Sequence, residues 1–287
     1  MRQVTIITDG VATVPAEVVR EYDILVAPFH IKMDGKNYLE TEMDREQLYT
    51  RLRSKENLPT TSPPSPDEFL ELCKQASQQA PAILIIVLTS GFSQAYNSAL
   101  NAKSLAAKQL PGVTVEVFDS LTVVGGQMLV TIGAAKAAHE GKSLPEVIEA
   151  TDSIRQRVAS LALRESLFHF DRSGRAGKAK DWAKSEITTT TLLETSAASG
   201  GVTKPLLRER TLTKAIDATL DMLAERSPGK RLHIAITHTN APDKAEALRK
   251  KLVSRFNPIE VYLNECSMVA AAINGEGLVE FGCYAED

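Results

Sequence analysis

The chain has 287 residues, with 33 lysines and arginines against 36 aspartates and glutamates, a formal net charge of −3 and a pI near 6.0. That balance leaves no electrostatic footprint for nucleic acid, and no run of 18 apolar residues exists to span a membrane. The length exceeds what one core usually serves, so two domains are expected.

Val4-Thr5-Ile6-Ile7 reads as a first strand, closed by the polar turn Thr8-Asp9-Gly10. What precedes it, Met1-Arg2-Gln3, reads as the approach to that strand and not as a signal peptide. Pro15 opens a short helix to Arg20, and Ile24 to Ile31 is expected as one second strand. Asp34-Gly35 signals a tight turn, and Asp44 caps a helix to about Ser54 with Leu48 and Leu52 on one face. Four prolines hold Leu58 to Pro66 extended and delay the next helix to Asp67. This stretch is a linker or a rigid loop carrying the hydroxyls of Thr61 and Ser62, and its nine residues suit a loop better.

Ile83 to Leu88 is an unbroken apolar run, the pattern of a parallel strand buried on both faces. Thr89-Ser90-Gly91-Phe92-Ser93 then turns the chain into a helix. In open α/β sheets ligands sit beyond the carboxyl ends of strands, at helix N-termini. The three hydroxyls here suit an anion, or Ser93 is simply a helix cap. Val113 to Phe118 is a further strand, followed by helices from Val123 to His139 and from Leu144 to about Arg157, with Gly141 and Ser143 between them. The order β-α-β-α-β-α makes residues 1–160 a doubly wound parallel-sheet domain.

Residues 161–287 read as a mixed α+β domain. Val158–Leu163 begins this second unit and the apolar Leu278–Tyr284 closes it; strands are expected at Glu186–Leu193, Val202–Arg210, Leu232–Thr237 and Glu260–Leu263. Helices are expected after Thr213 and Asn240, each named as a cap. Gly125-Gly126, inside a helix, reads as close packing. Cys73, Cys266 and Cys283 lack Cys-x-x-Cys spacing and read as reduced thiols of a cytoplasmic protein. The five histidines are dispersed, and no metal site is expected.

The order and spacing of the polar turns resemble the DegV family of bacterial fatty-acid-binding proteins over nearly the full chain. The motifs are Thr8-Asp9-Gly10 with Pro15, Pro28 with Asp34-Gly35 and Tyr38, Thr61-Ser62-Pro63-Pro64-Ser65, Ser90-Gly91-Phe92-Ser93 with Tyr96 and Ser98, Asp119-Ser120, and Gly174-Arg175-Ala176-Gly177-Lys178-Ala179. The resemblance implies a non-catalytic carrier, with no cofactor, that holds a long-chain fatty acid in an interdomain tunnel and presents its carboxylate to a separate fatty acid kinase subunit. It implies head-group hydroxyls at Thr61, Ser62 and Ser93, with Arg210 near the site. Arg208 and Arg210 equally fit solvated surface charge, and Arg175 fits a positioning or partner-contact element or a structural salt bridge.

The chain departs from the family pattern at three places. Gln94-Ala95 replaces Gly-Thr, and Ile273 stands where the family has a histidine, with Glu276 in place of a proline. Glu194-Thr195 replaces a Lys-Pro. A second reading is therefore a DegV-like scaffold whose altered head-group site takes another amphiphile or a protein partner. A hydrolase would need a Gly-x-Ser-x-Gly elbow, and a nucleotide site a Gly-x-Gly-x-x-Gly or P-loop pattern; the chain has none of them.

Overall fold

The computed structural model describes residues 2–183 and 189–286. Strand β1 (Val4–Asp9) leads through α1 (Ala16–Glu21) to β2 (Leu25–Ala27), and β3 (His30–Met33) follows as a separate strand. The single strand expected over Ile24–Ile31 is broken because Pro28 has no N–H for a ladder. Next to it, the Phe29 N–H donates to the Glu40 carboxylate at 2.9 Å instead of to a strand. Asp34 and Gly35, at φ of 51° and 78°, make the expected tight turn from β3 into β4 (Lys36–Leu39). Helix α2 (Arg45–Ser54) is capped by Asp44, whose carboxylate accepts the Gln47 N–H at 2.8 Å.

The proline-rich stretch contains a short strand, β5 (Thr60–Ser62), antiparallel to β3. Helix α3 (Pro66–Ala76) starts one residue earlier than expected. Ser65 and Glu68 form a capping box around it, and Pro66 occupies the first turn, where its fixed φ is favourable.

Strands β6 (Ala82–Val87) and β7 (Thr114–Asp119), linked by α4 (Ala95–Gln109), complete a parallel sheet in the order β2-β1-β6-β7. As an inner strand covered on both faces, β6 buries Ile83 to Val87, as its apolar run requires. The Asp9 carboxylate ties the end of β1 to that of β6, accepting the N–H groups of Val11 at 3.0 Å and Leu88 at 2.8 Å.

Helix α5 (Val124–His139) buries 13 of its 16 residues, so it faces protein on all sides. It packs between the parallel sheet and a second sheet, and glycine permits the contact. A Cβ on Gly282 would lie 2.2 Å from the Gly125 carbonyl carbon. After α6 (Leu144–Arg157), capped by Ser143 and Glu146, the chain enters that second sheet.

The second sheet opens with β8 (Ala159–Arg164), followed by α7 (Phe168–Arg172), α8 (Lys180–Ala183), β9 (Thr190–Ser196), β10 (Lys204–Glu209), α9 (Leu212–Arg226), β11 (Leu232–His238), α10 (Pro242–Phe256), β12 (Glu260–Glu265), α11 (Met268–Asn274) and β13 (Val279–Ala285). Its order is β10-β9-β8-β13-β11-β12, with β11 and β12 parallel and the other pairs antiparallel. The expected Glu186–Leu193 strand falls at Thr190–Ser196; Glu186 to Thr188 lie outside the described residues.

The cap of α9 is Thr211, not Thr213, and its hydroxyl accepts the Lys214 N–H at 3.3 Å. At α10 the cap position is Ala241, because the Asn240 side chain turns away to donate to Glu276. The five-residue α7 and seven-residue α11 were not expected, being too short to show a helical period.

Side chains alternate across this sheet. Leu161, Leu163, Leu192 and Phe281 pack with α9 and α10 in one apolar cluster. Register places Ser160 opposite Thr195, and Ala162 opposite both Leu193 and Glu280, on the other face. That second face looks toward the parallel sheet. Among the described residues no helix is long and apolar enough to cross a membrane.

Candidate functional site

The carboxyl end of β6 and the polar face of the second sheet enclose an inner cavity. It holds about 560 Å³ of atom-free space, its opening included. Val11, Leu88, Phe92, Val124, Phe170 and Leu278 give it an apolar wall. Polar side chains interrupt that wall at Ser160, Arg164, Arg175, Thr195, Thr203, Asn274 and Glu280.

An outer cavity, of about 720 Å³ with its opening, is lined by Thr61, His169 and Arg172. Arg175 and Ile273 stand in the walls of both cavities. Arg175 is fixed there by donating from Nε to the Phe92 carbonyl and from Nη1 to the Ser173 carbonyl, both at 3.0 Å. Burial lowers its pKa from the usual guanidinium value. His169 fits against Gly275, where a Cβ would come within 2.2 Å of the imidazole. Burial, then the charges of Lys55 and Arg172, push the His169 pKa down, so the ring is neutral at pH 7.

The inner polar groups are electrostatically unusual. Glu280 is 1 % exposed. Its carboxylate accepts from the hydroxyls of Ser160 and Thr237, each at 2.5 Å, and from the Gly125 N–H at 3.2 Å. Burial outweighs those donors and raises its pKa to about 7. Arg164 is 6 % exposed and lies over the Phe170 ring at 4.0 Å. Burial lowers its pKa to about 10, which still leaves it charged at pH 7.

Among the residues singled out from the sequence, Thr61 and Ile273 meet in the outer cavity. Ser62, the next residue along β5, points to the opposite side and is exposed. Ser93 is half-buried just before α4, and its Oγ accepts the Ala95 N–H at 3.2 Å, leaving its own proton available to donate. Arg210 is exposed beyond the end of the edge strand β10 and lines neither cavity. Arg208 instead lies over the Trp182 ring and donates to its carbonyl.

The turn after β6 is partly closed to an outside anion. The Asp119 carboxylate accepts the Ser90 N–H, and the Thr89 hydroxyl donates to the Gly201 carbonyl at 2.9 Å. His169, Arg164 and Glu280 were missed in the sequence. The alternation of Ser160, Ala162 and Arg164 along β8 was the one available signal, and it does not say which face is lined.

The family model described as "Uncharacterised protein, DegV family" matches residues 3–286. Protein DegV of Bacillus subtilis is 26% identical over 277 residues, 96% of each chain. The fatty-acid-binding DegV family protein of Thermus thermophilus superposes with a TM-score of 0.90 at 24% identity, covering 99% of this chain and 100% of that one. The fatty-acid-binding DegV family protein SAG1342 of Streptococcus agalactiae gives a TM-score of 0.84 at 25% identity, with 100% of each chain covered.

Proposed function

The chain belongs to the DegV family, and on that footing we propose that it is a non-catalytic carrier. It binds a long-chain fatty acid between its 1–160 and 161–287 halves and presents the carboxylate to a separate kinase subunit. One observation carries the binding: an apolar inner cavity shares two wall residues, Arg175 and Ile273, with an outer cavity lined by hydroxyl and cationic groups. The two together form the tunnel. The kinase step is supported by the family resemblance.

The tail supplies most of the affinity. Burying about 15 methylenes at about 0.8 kcal/mol each gives on the order of 12 kcal/mol before ordering costs. The carboxylate lies in the outer cavity, where Thr61 and Arg175 offer donors and Arg172 adds charge; Ser93 lines neither cavity, and its part as a donor is carried by the family resemblance. Two features favour a retained carboxylate site over an altered scaffold. Ile273 brings no donor, but His169 lines the same cavity. Glu276 lines neither cavity and is paired with Arg53.

Native mass spectrometry with lipid extraction tests the reading. The expected result is one acyl chain per protein as purified, and acyl phosphate when a fatty acid kinase subunit and ATP are added. A protein that is empty and takes up no added fatty acid overturns the carrier; binding without acyl phosphate overturns presentation to a kinase.

A further inference from the structure

The inner cavity contains a cation that an alkyl chain does not use. Arg164 lines the inner cavity and not the outer one. Its Nε and Nη1 are buried and have no hydrogen-bond partner among the described residues. The neighbouring acid does not supply one, because the Glu280 oxygens are engaged by Ser160, Thr237 and Gly125. The Phe170 ring covers the guanidinium face but offers nothing to its in-plane N–H groups. Ser160 and Thr195 add hydroxyls to the same wall.

Buried N–H groups of a charged side chain are costly to leave unmet. A plain alkyl chain packed beside Arg164 would exclude water and satisfy none of them. An oxygen on the chain would accept from them directly. Sites that place donors for a substrate oxygen discriminate strongly against the analogue lacking it.

We propose that Arg164 is a second polar station inside the acyl cavity, selecting long-chain acids that carry an additional oxygen function, such as a hydroxyl, keto or second carboxyl group, along or at the end of the chain. This rests on the reading of the cavity as an acyl site. The first carboxylate stays at the outer cavity, where presentation to a partner requires it, and the added oxygen accepts from Arg164 Nε and Nη1.

The test is a calorimetric titration of the intact protein with palmitic and stearic acids and their counterparts bearing ω-hydroxyl, ω-carboxyl, mid-chain hydroxyl or mid-chain keto groups. At least one oxygenated acid binds the unaltered protein about tenfold more tightly than its plain counterpart. In Arg164→Leu that advantage disappears, and Arg164→Lys keeps part of it. Plain acids binding the unaltered protein as tightly as every oxygenated one overturn the proposal, with no variant needed and the carrier reading intact. A preference that survives in folded Arg164→Leu also overturns it. If no acid of either kind binds, both readings fall.

Discussion

Arg53 holds Glu276 through two charge-assisted bonds, Nε to Oε2 at 2.8 Å and Nη2 to Oε1 at 2.9 Å. The pairing joins α2 to the turn before β13, and its hydrogen bonds are the first cause of the lowered Glu276 pKa. It also directs a negative charge, which takes the place of a family proline, away from the cavity walls. In Arg53→Met the carboxylate keeps only the neutral Asn240 donor, its uncompensated charge opposes a bound fatty acid, and affinity falls by about two- to fivefold, less so at high salt. Adding Glu276→Gln restores it. Titration of the single and double variants with palmitate checks this, and a double variant no better than the single one would show the charge to be irrelevant.

Neighbouring residues of β5 separate a cavity role from a surface one. Thr61→Val removes a donor that reaches the outer cavity and weakens fatty-acid binding by about 1.5 kcal/mol, roughly tenfold. Ser62→Ala leaves the affinity as it is. Equal losses in the two variants would mean that the strand is not held in this register.

Ser93 has a local task, and the proposed function gives it a second, toward the ligand. Ser93→Ala loses the bond from the Ala95 N–H, which costs about 1 kcal/mol of stability at the start of α4. It also removes a donor to the carboxylate, worth about 1–2 kcal/mol of affinity. Urea unfolding and palmitate titration read the two separately; a stability loss with unchanged affinity would assign Ser93 to the turn before α4 alone, where Gln94 and not Ser93 holds the cap position.

The buried Glu280 makes stability depend on pH in a definite direction. Its proton is held to about pH 7 in the folded chain, against an ordinary value of 4.5. Across that window the folded state carries the extra proton, so stability falls as pH rises, by at most about 1.4 kcal/mol per unit, and levels off above pH 7. Glu280→Gln keeps an acceptor for Gly125 and removes the titration. Its stability relative to the unaltered protein therefore grows from pH 5 to pH 7. Asp9, also raised to about 7 by burial, behaves alike in both proteins and cancels from the difference. Urea unfolding at pH 5, 6, 7 and 8 measures it, and parallel curves would contradict the shift.

The contact between α5 and β13 has no room for a side chain. In Gly282→Ala the new methyl would meet the Gly125 carbonyl carbon and oxygen and the Gly126 nitrogen at 2.2, 2.3 and 2.4 Å. Backbone must move apart, and overpacking of this kind costs about 1–3 kcal/mol. Thermal and urea unfolding should both show the loss. Gly112→Ala, with open space around the missing Cβ but a φ of +86°, compares strain without a clash.

Local chemistry was enough to read many elements from the residues alone. The apolar run of β6, the Asp34-Gly35 turn and the Asp44 and Ser143 caps need only a few consecutive side chains to recognise. The spaced polar turns likewise carried the DegV resemblance. Tertiary structure alone decided where side chains ended up. It broke the Ile24–Ile31 strand at Pro28, moved the α9 cap to Thr211, and separated Thr61 from Ser62. It also left Arg210 at an exposed edge and gathered Arg164, Thr195 and Glu280 from three strands onto one wall. The reason is that periodicity is a property of neighbouring residues, whereas the face a strand presents depends on its register with partners distant in the chain, as when Ala162 pairs with both Leu193 and Glu280.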